Sequence, residues 1–157
     1  MRNIVLYASL AASVLVPTVG PCRAGEHGAR VEYIGGTRAD LPNRATGNLQ
    51  AVDEQYLVFY SGKANFRAAY DRINLLEYGQ KVNRRLAMAV LISPVFALSK
   101  SRQHFLTVGY TDEAGREQAL IFKVEKEHIR AMLASLEVRT GRKVEFQDEE
   151  ARKAGRG

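Results

Sequence analysis

The side chains best suited to proton transfer or metal ligation near neutral pH are three histidines, His27, His104 and His128, and they stand far apart. No His-Glu-x-x-His run brings two imidazoles onto one helix face. Neither a glycine-rich phosphate loop nor a Gly-x-Ser-x-Gly elbow occurs. The single cysteine, Cys22, lies in an N-terminal leader and offers a mature domain no nucleophile. His104 opens a predicted strand and His128 falls in the first turn of a predicted helix, so structural or solvated roles suit both. The acidic pairs Asp53-Glu54 and Asp112-Glu113 fall in predicted turns, which carboxylates commonly favour. These residues imply no cofactor, no metal and no enzyme. A hydrolase whose carboxylates converge from distant loops would leave no local trace and stays open as an alternative.

Binding chemistry has a stronger signal. Leu86 to Ser99 holds fourteen residues without a charge, with Pro94 among them. Lys81, Arg84 and Arg85 precede it, and Lys100 and Arg102 follow. A helix needs about 20 apolar residues to span a bilayer, so this segment is too short to cross. Three readings fit it. It is a buried element of the core, a self-association surface, or an apolar loop that dips into a membrane interface. In the last, Val90, Leu91, Val95 and Phe96 insert while Arg84, Arg85, Lys100 and Arg102 hold lipid phosphates.

The elements that must position such a segment are mostly strands. In His104 to Tyr110, Leu106, Val108 and Tyr110 share one face. Thr111 to Arg116 is polar and contains Gly115, suited to the positive φ of a hairpin turn. Gln118 to Val124 is the returning strand, with Leu120, Phe122 and Val124 on one side. The period then changes to that of a helix, for Ile129, Met132, Leu133 and Leu136 recur at i, i+3, i+4 and i+7. Gly141 is placed to end that helix. Upstream, Val31 to Ile34 reads as a strand ending in a turn at Gly35-Gly36. Thr46 to Val52 and Gln55 to Tyr60 form a hairpin about Asp53-Glu54, apolar on both faces of its second strand. Asn65 to Leu76 reads as one further strand, with a turn or bulge at Gly79. Lys143 to Phe146 is a short last strand, and the charged, glycine-bearing residues 147–157 read as a disordered tail.

The start of the chain reads as an address. Met1 to about Ala24 has a basic residue, an apolar run from Ile4 to Val16 and a small-residue cleavage site after Ala24, the pattern of a secretory signal peptide. An uncleaved anchor and a lipoprotein acylated at Cys22 are the alternatives. Residues 25–30 are then a flexible lead-in and 31–146 one domain. The mature domain is expected outside the cytoplasm, periplasmic or extracellular. The formal charge of +6 includes Arg2 and Arg23, and without them 21 cations face 17 anions. A balance of about +4 suits anionic surfaces, while nucleic acid is a poor partner for an exported chain.

The layout, mainly β with one C-terminal helix, resembles the pleckstrin-homology-like architecture, which includes GRAM-type domains. The segments that carry the resemblance are Tyr33 to Thr37, Tyr70 to Ile73, Leu75 to Gly79, Ser99-Lys100, His104 to Thr107 and Leu136 to Gly141. They also resemble exported bacterial proteins of the same layout. The resemblance implies a bent antiparallel sheet or partial barrel, capped by the last helix, that binds lipid headgroups or peptides without catalysis. Thr37 to Arg44 carries only Arg38 and Arg44, beside Asp40, where phosphoinositide-binding members carry a dense basic motif. The expectation is therefore an exported binding domain that docks on anionic lipid or another envelope component through 86–99. The alternative is a module that binds an envelope protein's peptide by strand addition.

Overall fold

The computed structural model describes residues 28–62, 64–82 and 103–156. The expected leader, all but the last residues of the lead-in, and the 86–99 segment lie outside the described residues.

Among the described residues, eight strands form one sheet. They are β1 (Ala29–Gly36), β2 (Thr46–Gln50), β3 (Tyr56–Ser61), β4 (Asn65–Ala69), β5 (Ile73–Gly79), β6 (His104–Thr111), β7 (Glu117–Val124) and β8 (Glu145–Phe146). Helices α1 (Lys126–Thr140) and α2 (Glu149–Arg156) flank β8 in the chain. The strand order is β4-β3-β2-β1-β7-β6-β5-β8, and the sheet does not close. Strands β1 to β4 form one meander and β5 to β7 a second. The antiparallel pair β1–β7 joins them, and only β8 runs parallel, beside β5.

The expected hairpins form. His104 faces Val124 at one end of β6–β7 and Thr111 faces Glu117 at the other, with Gly115 at φ 77° in the turn. Leu106, Val108, Tyr110, Leu120, Phe122 and Val124 all enter one core, as the two-residue period requires. Ile129, Met132, Leu133 and Leu136 of α1 enter it too. Gly141 ends α1 at φ 66°, its N–H donating to the Glu137 carbonyl. A smaller cluster, Ile34, Phe105 and Ile121 with Val82, lies apart from this core.

Four expectations are corrected. The stretch 65–76 is not one strand, because a 3₁₀ turn at Tyr70–Arg72 separates β4 from β5. Strand β4 belongs to the first meander and β5 opens the second, so the chain has to leave one sheet edge before it can pair with β6. Tyr70, 5% exposed, fills the core at that corner. Strand β1 does not stop at Ile34 but runs through Gly35-Gly36, with a bulge between Tyr33 and Gly35 against β7. A Cβ at Gly36 would stand 2.5 Å from the Ala119 carbonyl oxygen, so glycine here permits close strand approach, not a turn. On β3 only Leu57 and Phe59 are buried, while Tyr60 on the other face is 47% exposed.

The fourth correction concerns the tail. Residues 149–156 form α2, a second C-terminal helix where one was expected. The Asp148 carboxylate accepts the Ala151 N–H at 2.7 Å and caps its start. Glu149 and Glu150 lie in the first turn, Lys153 and Arg156 in the last, complementing the helix dipole. Ala151 and Gly155 are buried, with Gly155 set against Phe146, Leu133 and Tyr78.

Candidate functional site

The residues expected to dock on lipid, Arg84, Arg85, Val90, Leu91, Val95, Phe96, Lys100 and Arg102, all lie outside the described residues. The described residues carry a different feature, the free edge of β4.

Hydrogen-bond parity shows what that edge presents. Ser61 N–H donates to Ala64 C=O and Tyr70 N–H donates to Gln55 C=O. In an antiparallel ladder, alternate residues face the neighbouring strand. With the register Tyr56↔Ala69 to Tyr60↔Asn65, the residues that bond β3 are therefore 64, 66, 68 and 70. The backbone N–H groups of Asn65, Arg67 and Ala69 point the other way, as do the carbonyls of Asn65 and Arg67. No described strand lies on that side. At the opposite end of the sheet, β8 pairs with β5 at Glu77 and Tyr78, and Gln147 N–H donates to the Tyr78 carbonyl. Among the described residues, one edge is covered and the other is open.

A groove of about 790 Å³ runs along the open edge. Its walls are β4, the β1–β2 loop and the β6–β7 turn. Phe66 of β4 packs on Tyr110 of β6, ring centroids 5.3 Å apart. The Arg38 guanidinium lies 5.5 Å from the centre of the Phe66 ring, where the ring quadrupole attracts a cation. Arg38 Nε donates to Asp40 at 2.7 Å, and a second guanidinium nitrogen reaches the other carboxylate oxygen. This fork holds the Asp40 carboxyl below its usual range and raises Arg38 further. Burial pushes the Tyr110 hydroxyl up, and the adjacent Arg38 opposes the rise without a hydrogen bond of good geometry. Burial also pushes the Tyr33 hydroxyl up to about 12, and the Asp40 charge adds to it.

The carboxylates expected in turns are there. Asp53 accepts the N–H groups of Gln55 and Tyr56 at 2.7 and 2.8 Å. Asp112 accepts those of Ala114 and Arg116, both at 2.9 Å, and the Arg116 side chain as well. These backbone donors hold both carboxyls below the usual range. His104 opens β6 and shares a hydrogen bond with the Tyr78 hydroxyl, on which its ring stacks at 10°. Burial, then the nearby Lys126, depresses its pKa, and Glu127 opposes. His128 faces Glu125 at 3.9 Å across the first turn of α1. Among the described residues, no group of three His, Cys, Asp or Glu side chains could hold a metal ion. No described helix is long and apolar enough to cross a membrane.

Sequence reasoning missed the groove. The alternation in Asn65-Phe-Arg-Ala-Ala69 marks a strand buried on one face, but nothing in those five residues says that the sheet ends there. Comparison of the chain with protein-family models, with curated proteins and with solved structures returned no match.

Proposed function

We propose that this chain is an exported, non-enzymatic binding module that takes an extended segment of an envelope protein along β4. The observation that carries the reading is the row of N–H groups on Asn65, Arg67 and Ala69, unpartnered among the described residues, beside a groove floored by Phe66 and Tyr110. An exposed edge of this kind is a template for a further strand. Main-chain hydrogen bonds supply affinity, and the groove beneath sorts side chains. Five residues of β4 at about 3.4 Å each match a partner strand of about 17 Å. A pleckstrin-homology-like scaffold is part of the proposal. Its support is two meanders joined through the first and last long strands, with a C-terminal helix filling the core. Docking on anionic lipid through 86–99 and its basic flanks is the second reading, and it draws on the sequence of those fourteen uncharged residues and the cations around them.

Ala69→Pro tests the first reading. Ala69 sits at φ −66°, the value proline requires, and its N–H faces the open edge, so the substitution removes one ladder donor and leaves β3–β4 intact. Peptides selected by display on the protein are expected to lose binding to Ala69→Pro while its unfolding midpoint stays put. Selected peptides that bind both forms equally would overturn strand addition at β4. Salt-sensitive flotation with anionic vesicles by that same protein would then favour the lipid reading.

A further inference from the structure

Resting on the strand-addition reading, we infer that the segment taken by β4 is acidic, with carboxylates alternating with apolar side chains. The charges along the groove decide this. Four cations line it, Arg38, Arg67, Arg72 and Arg116, against three anions, Asp40, Asp112 and Glu113. Asp40 is held in the fork of Arg38 and Asp112 in that of Arg116. Those four charges are satisfied within the protein. Arg67 and Arg72 form no ion pair among the described residues. The Arg67 guanidinium lies 5.1 Å from the centre of the Tyr56 ring and carries only a weak field to Asp53. Both arginines are exposed, one in the middle of β4 and the other in the turn that follows it. The remaining anion, Glu113, stands across the groove at the tip of the β6–β7 turn.

The ladder then fixes the pattern. A strand added to β4 places one residue opposite Arg67, exchanging both backbone hydrogen bonds with it, and paired residues share a face of the sheet. That residue's side chain stands beside the Arg67 guanidinium on the outer face, and a carboxylate there meets a planar fork of donors. Its two chain neighbours point to the other face, toward Phe66, Ala68 and Tyr110, where apolar side chains bury surface. Two residues along from the first carboxylate, a second comes opposite Ala69, next to Arg72. Lysine at either position would meet an unneutralised arginine.

The probes are two fluorescent hexapeptides, one alternating valine with glutamate and the other valine with lysine, titrated by anisotropy at low and at physiological salt. The glutamate peptide is expected to bind about tenfold or more tightly than the lysine peptide, with the difference shrinking as salt rises. Arg67→Glu and Arg72→Glu, both at exposed positions, are each expected to weaken the glutamate peptide by about tenfold and to strengthen the lysine peptide. Ala69→Pro should remove both. Equal binding of the two peptides, lost together in Ala69→Pro, would overturn the acidic preference and leave strand addition standing. Glutamate-peptide binding that Ala69→Pro does not weaken would overturn both, because attraction to arginines alone would then account for it. Binding of neither peptide would also overturn both.

Discussion

At the scale of single residues, His104 is the group whose environment has the most direct consequence. It is half-buried at the start of β6, accepts or donates the bond with Tyr78 and stacks on that ring. Burial depresses its pKa, so the folded protein binds this proton less readily than the unfolded chain does. Its contribution to stability is therefore fully present above the unfolded value of about 6.5 and declines as pH falls through that value toward the folded one. The expected outcome is a urea midpoint that drops between about pH 7.5 and about pH 5.5 in the wild type and drops less in His104→Gln. Equal slopes for the two proteins would show that the imidazole is as easily charged in the fold as in water. The partners of His104, Tyr78 from β5 and Lys126 at the start of α1, come from residues separated widely in sequence. The histidine was visible as the first residue of a strand, but no spacing rule could have paired it with Tyr78.

Among the elements, α2 is the one whose docking turns on a single atom. A Cβ at Gly155 would stand 2.7 Å from the Phe146 ring and 3.2 Å from Leu133 and Tyr78. Alanine raises helix propensity over glycine by about 1 kcal/mol, so an undocked α2 would welcome the change. The contact with Phe146 is closer than real Cβ atoms tolerate, and overpacking costs about 1–3 kcal/mol, so the collision should outweigh the propensity. Gly155→Ala is expected to lower stability and to speed amide exchange across 149–156. A stabilised variant would mean that α2 does not seat closely on β8 and α1. The same element shows where the sequence was hard to read. Strands β6 and β7 and helix α1 announce themselves through long runs of one period, and the structure carries those runs into one core. In α2 the apolar stripe consists only of Ala151, Ala154 and Gly155, small residues among five charged ones, so composition read as disorder. The Asp148 cap and the order of acids before bases were the available signals. The break at Tyr70–Arg72 left no signal of its own, because Tyr-Asp-Arg-Ile suits a strand as well as a corner. The free edge of β4 depends on which strand ends the sheet, a property of topology that local patterns do not encode.

For the whole molecule, the question is whether two meanders behave as one. The proposed groove takes β4 and the β1–β2 loop from the first meander and the β6–β7 turn from the second, so it exists only while the seam between β1 and β7 holds. Phe122 of β7 is at the centre of that seam. Its ring centroid is 5.8 Å from that of Tyr33 on β1 and 5.3 Å from that of Phe59 on β3, and all three side chains are fully buried. Tilted aromatic contacts of this kind add to the area they bury. Truncation to alanine removes a ring that both meanders touch, at a cost of about 3–5 kcal/mol for a buried phenylalanine. If the seam couples the halves, the loss is shared by every strand. Phe122→Ala should therefore unfold at lower urea in a single transition, with far-ultraviolet dichroism and tyrosine fluorescence coinciding. The chain contains no tryptophan and seven tyrosines, among them Tyr33, Tyr56 and Tyr60 in the first meander and Tyr78 and Tyr110 in the second, so fluorescence samples both. Two separated transitions would show that each meander keeps its own stability. The groove would then be a junction between independently stable halves, and its width would vary with their motion. A single transition ties the open edge of β4 to the rigidity of the whole sheet, which is what preorganised strand addition requires.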